Sequence, residues 1–158
     1  MTQAKERNYP MYSILADILL ANGTRQQITG DCVALVEQEV SAKSGVSAAA
    51  LKVAYKAVTT LAPGFYQSAV DRLVPKMLDR LQPFWADYNA GGSGQFGDYL
   101  VSHGAEVSEA LLGVTDDIAQ RSKREVFVKA YSAVRDGAGK HIEAALPAVG
   151  ALVEKYAA

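Results

Sequence analysis

Apolar residues recur at three- and four-residue intervals along most of the chain and nowhere alternate over a strand's length, so the sequence reads as helical throughout. Tyr12, Leu15, Ile18 and Leu19 form a first face, fenced by Pro10 and by Asn22-Gly23. From Thr29 the face Cys32, Leu35, Val36 and Val40 predicts a second helix ending near Ser44-Gly45. Ser47 is placed to cap a third, with Leu51, Ala54, Tyr55 and Val58 facing inward and Pro63-Gly64 ending it. Val70, Leu73, Val74, Met77, Leu78 and Leu81 mark the buried side of a fourth helix, or pair of helices, over 65–88. Pro75 and Pro83 lie inside that stretch, and each removes a backbone hydrogen bond, which predicts a kink. The run 89–95, rich in glycine, reads as a flexible connection. Beyond it the pattern predicts helices over 96–102, 105–120, 122–135 and 140–156. Gly137 and Gly139 separate the last two, and Pro147 predicts a further kink.

The expectation is an all-α fold, a bundle of six to eight helices in one domain spanning 1–158. Its parts are an N-terminal extension (1–27) with an amphipathic helix, a first helical unit (28–88), a linker with a short helix (89–104) and a second unit (105–158). The two units resemble each other. Laying 35–58 over 111–134 pairs Leu35 with Leu111, Ala54-Tyr55 with Ala130-Tyr131, and Ala57-Val58 with Ala133-Val134. In both halves a glycine-containing turn and a proline-broken helix follow, at Pro75 and at Pro147. Two pseudo-symmetric three-helix units would set Tyr55 and Tyr131 at equivalent sites, with proline-freed carbonyls as one route to a central cleft. Shared amphipathic periodicity gives the same likeness without duplication.

Composition narrows the picture. A chain of 158 residues fits one domain, and 49% hydrophobic against 21% charged residues excludes wholesale disorder. Sixteen Lys and Arg against 17 Asp and Glu leave a net charge of −1, which argues against a nucleic-acid partner. The single cysteine, Cys32, excludes an intrachain disulfide or a multi-cysteine metal site. The polar, mixed-charge start is unlike an export signal, and no apolar window reaches the ~20 residues of a transmembrane span. A cytoplasmic location is the expectation.

Reactive constellations are scarce. Bundle metal sites favour Glu-x-x-His pairs, and none occurs; His103 with Glu106 and His141 with Glu143 have the wrong setting or spacing, so neither metal nor cofactor is expected. Cys32 lies on an apolar face, and neither a Gly-x-Ser-x-Gly elbow nor a phosphate-binding glycine loop is present. Catalysis would require Tyr131, His141 or Arg135 to converge with an acid in one cleft. Arg72, Lys76 and Arg80, flanked by Asp71 and Asp79, read as a solvated helix face in preference to an anion or partner site. Asp116-Asp117 ahead of Arg121-Ser122-Lys123-Arg124 reads the same way.

Aromatic residues concentrate around the glycine run: Phe84, Trp85, Tyr88, Phe96 and Tyr99. They either close one end of the core beneath the loop, anchor an interface, or form a lid over an apolar ligand. Trp85, Tyr88, Phe96 and Tyr99, with Tyr55 and Tyr131, are the candidate ligand or partner contacts. The leading reading is a non-enzymatic helical interaction module that binds a protein partner or copies of itself. The alternative is a binder of an apolar small molecule, a lipid or isoprenoid, in a cavity between the two units.

Several runs also resemble a known family. They are 44–58, with Leu51-Lys-Val-Ala-Tyr-Lys-Ala-Val58; Ala69-Val-Asp-Arg-Leu-Val-Pro75; Gln82-Pro-Phe-Trp-Ala-Asp-Tyr88; and 125–157, with Lys129-Ala-Tyr-Ser-Ala-Val134 and Ala144-Ala-Leu-Pro147. Together they resemble a bacterial family of small all-helical proteins classed as a domain of unknown function. The likeness runs from about Thr29 to the C-terminus, leaving the first 28 residues peculiar to this chain. It implies a helical fold and a bacterial cytoplasmic setting, and no activity.

Overall fold

The apolar stripes close on one another as seven α-helices, with no strand among the described residues. The computed structural model describes residues 14–61, 64–92 and 94–157. In chain order the helices are α1 (Ile14–Leu20), α2 (Arg25–Ala42), α3 (Val46–Thr59), α4 (Phe65–Gly91), α5 (Phe96–Ser102), α6 (Gly104–Arg121) and α7 (Glu125–Ala157), with a 3-10 turn, Ala21–Gly23, after α1. Two long helices organise the rest. The α4 helix carries α1 and α2, while α7 carries α3 and α5; α6 packs on both, and α1 reaches α7 as well. None of the described helices is long and apolar enough to cross a membrane.

The core joins residues from both long helices and those between them: Leu15, Leu19, Ile28, Val74, Leu78, Leu100, Val107, Leu146 and Val153. At seven residues α1 is too short to be stable alone, so tertiary packing holds it. Burying Leu15 and Leu19 contributes about 1.5–3 kcal/mol each. The Leu15 amide also donates to Gln82 Oε1 across 2.7 Å, tying α1 to α4. Its buried face is Leu15, Ala16 and Leu19; Ile18, expected inside, is 42% exposed. Tyr12 and Pro10 fall outside the described residues.

Three expectations need correction. Gly45, with φ 100°, stands at the α3 N-cap in place of Ser47; the left-handed backbone suits a residue without a Cβ. The stretch 65–88 is one helix that contains both prolines and runs on to Gly91, so the connection to α5 is shorter than the glycine run. Asn89 Nδ2 donates to Trp85 O over 2.9 Å within that extended end. Finally, 122–156 is not two helices: α7 continues through Gly137, Gly139 and Pro147. An interior glycine costs about 1 kcal/mol relative to alanine, and burial of Ala130, Leu146 and Val153 along one helix outweighs that. The hairpins α2–α3 and α6–α7 both break close to the aligned positions, yet the second half holds two helices where the sequence predicted three.

Candidate functional site: a cation-rimmed groove

A half-open groove of about 730 Å³ lies between α4, the end of α6 and the start of α7. Helical spacing builds it. Phe65, Ala69 and Leu73 form one row of α4 and supply part of the floor; Val114 and Ile118 of α6, and Phe127 and Tyr131 of α7, supply the remainder. These floor residues are buried or half-buried. One residue round α4, the row Arg72, Lys76 and Arg80 makes a rim, and Arg121, Lys123 and Arg124 from the α6–α7 turn add three more cations. All six side chains are exposed, with Asp79 and Asp117 the acids in the same lining. Groove residues are therefore strongly cationic in a chain whose net charge is −1.

Ion pairs elsewhere in the described residues join Arg25 with Asp71, Lys43 with Glu39, Arg135 with Asp116 and Lys155 with Asp31. Two groove arginines are held in place by uncharged partners. The Arg124 guanidinium lies 4.5 Å over the Phe65 ring, and Arg80 Nη1 donates to Ala110 O over 3.2 Å. Arg80 reaches that carbonyl across Gly113, where a Cβ would stand 2.6 Å from Nη1.

Beside the groove, Asp116 gathers the polar groups of α6 and α7. Tyr131 OH donates to its Oδ1 (2.6 Å), and Arg135 forks onto both oxygens at 2.7 and 2.9 Å. Tyr131 OH also lies 2.7 Å from Thr115 Oγ1. Arg135 and then Tyr131 hold the Asp116 carboxyl below its ordinary range. Burial, then the bond to Asp116, pushes the Tyr131 hydroxyl up to about 12. The convergence that catalysis would need thus exists for Tyr131 and Arg135 with an acid, but its chemistry is that of a latch. The phenol stays protonated and its donor is committed to Asp116, and the carboxylate is engaged on both oxygens. Among the described residues no group of three or more histidine, cysteine, aspartate and glutamate side chains sits at metal-binding distance.

A family model described as a family of unknown function (DUF6918) matches residues 15–157. The chain belongs to DUF6918. No curated protein and no solved structure matches it. The match also takes in residues 15–28, which the sequence reading had set apart; Leu15, Leu19 and Ile28 are core residues, so this segment belongs to the common fold.

In this DUF6918 chain the six aromatic candidates divide into three places. Trp85, Tyr88, Phe96 and Tyr99 come together, with centroids 5.0 Å apart for Trp85–Phe96 and 5.2 Å for Tyr88–Phe96. Phe96 at their centre is wholly buried. Tyr88 OH donates to Gly94 O (2.6 Å) and Tyr99 OH to Asp87, so the rings tie down the glycine segment from below. Tyr55 sits apart, edge-on to Tyr66 at 5.8 Å. Tyr131 alone of the six lines the groove. The groove's six cations stood in plain view in the sequence as two separate basic segments. Their convergence did not, because it depends on how α6 packs across α4.

Proposed function

We propose that this DUF6918 protein is a non-enzymatic interaction module of the cytoplasm, which uses the α4–α6–α7 groove to hold a segment of a partner protein. One observation carries this reading: two basic segments far apart in sequence line a single groove with a half-buried apolar floor. Apolar surface supplies the favourable contact, and a charged rim supplies orientation and selectivity. Self-association through the same face is disfavoured, since an isologous contact sets cations against cations. The groove is half-open to solvent, unlike the enclosed cavity that an isoprenoid or fatty acid would fill.

Selection of peptides from a displayed random library on the purified chain tests the reading. Selected peptides are expected to shift the amide resonances of Leu73, Ile118 and Phe127 and to lose affinity for a Leu73→Lys variant. Peptides that bind this variant as well as the native chain would place the docking face elsewhere. A co-purifying lipid found by native mass spectrometry would favour the small-molecule reading instead.

A further inference from the structure

We propose that the groove's occupant is an acidic amphipathic helix of the partner, with carboxylates at four-residue spacing set against Arg72, Lys76 and Arg80. This rests on the groove being the docking face. The three cations form one row of α4 and span ~12 Å, about two turns. A helix lying along that row repeats its own side chains with the same period, so acids at every fourth position stay in register. Arg121, Lys123 and Arg124 face the same space from the α6–α7 turn and extend the positive field. Between them, Leu73, Ile118 and Phe127 offer apolar surface for the oily stripe of the incoming helix.

Charge distribution and ring packing decide against other occupants. A small amphiphile carries its anion at one end, whereas these cations are strung along the groove. Single-stranded nucleic acid needs free ring faces for stacking. Here the Phe65 face carries the Arg124 guanidinium, and Phe127 and Tyr131 stack on each other at 6.1 Å.

Two synthetic helical peptides of about sixteen residues test this, alike in their leucine stripe. One carries glutamate at positions i, i+4 and i+8, the other glutamine. Calorimetry at low salt is expected to show the glutamate peptide binding about tenfold tighter, an advantage that fades near ~0.5 M salt. Both should shift the Leu73, Ile118 and Phe127 amides. The double variant Arg72→Glu with Lys76→Glu, altered only at exposed positions, should reverse the preference toward a peptide with lysines there. Equal affinity for the two peptides, with groove amides shifted, overturns the acidic helix and leaves the groove as the docking face. Unshifted groove amides with either peptide remove the docking face itself. Displacement of the glutamate peptide by a single-stranded oligonucleotide of equal charge, at lower concentration, overturns the proposal in favour of nucleic acid.

Discussion

Gly150 of α7 lies backbone to backbone against Gly97 of α5: a methyl group on Gly150 would overlap the Gly97 nitrogen and Cα. A Cβ on Gly97 would in turn stand 3.1 Å from Pro147 O. Pro147 cannot bond back to the carbonyl four residues before it, and α5 crosses α7 at this opened turn. The crossing brings the wholly buried Phe96 and Leu100 into the core. Backbone cannot swing aside as the tip of a long side chain can, so Gly150→Ala must part the two helices. We expect a loss of about 1–3 kcal/mol, the usual cost of overpacking. Urea unfolding checks it, with a lower midpoint at unchanged slope. Native stability in the variant would mean that the two helices separate freely.

Glu154 of α7 caps α5 from outside. Its Oε2 accepts the Phe96 amide at 3.2 Å and lies 3.4 Å from the Tyr88 hydroxyl oxygen, at a helix start where Gln95 contributes no side-chain cap. Carboxylates at helix N-termini typically stabilise by about 1 kcal/mol. Glu154→Ala is therefore expected to cost that much and to speed amide exchange at Phe96 ahead of Leu100. Unchanged exchange at both sites, at undiminished stability, would show the contact to be idle.

Asp116 makes part of the stability pH-dependent. Arg135 and Tyr131 lower its folded pKa below the unfolded value near ~3.9. A depressed carboxylate pKa gives stabilisation that is present above about pH 4 and lost as pH falls through the folded value. Asp116→Asn should thus be less stable than the native chain at neutral pH, with the gap closing as the solution is acidified. Thr29 and then Arg25 hold Asp71 low as well, and Tyr156 and Lys155 hold Asp31 low, so the native chain keeps other acid-sensitive contacts in the variant. Denaturant melts of both chains across the acid range measure the gap directly; a constant difference would remove Asp116 from the acid transition.

Local periodicity made most helices legible, because rows such as Val70, Val74, Leu78 and Leu81 report burial without knowledge of the partner helix. It failed where tertiary packing overrode local preference, as with Gly137 and Gly139 inside α7 and with Ser47 losing the cap position to Gly45. Of the site, the likeness of the two halves singles out Tyr131, whereas the spacing of Arg72, Lys76 and Arg80 predicts a solvated face. Four-residue spacing of like charges is ambiguous by itself. A row facing bulk water and a row facing a groove differ only in what packs beside them, here Ile118 and Phe127.

Holding like charges together has a thermodynamic consequence that can be read without any partner. Arg72, Lys76 and Arg80 stand at four-residue intervals on α4, where each like-charged pair destabilises a helix by about 0.2–0.5 kcal/mol. Lys76→Glu converts both four-residue neighbours into attractive pairs, which outweighs the one repulsion it creates with Asp79 three residues on. The variant should therefore be more stable at low salt, by several tenths to about 1 kcal/mol, while the gain shrinks in ~1 M salt as the charges are screened. The native chain should itself gain stability from moderate salt for the same reason. A row kept for folding would behave in the opposite way, and Lys76→Glu would then lower the unfolding midpoint at every ionic strength. A row kept for binding is held against a stability optimum that one substitution can recover, as expected of residues retained for contact with something else.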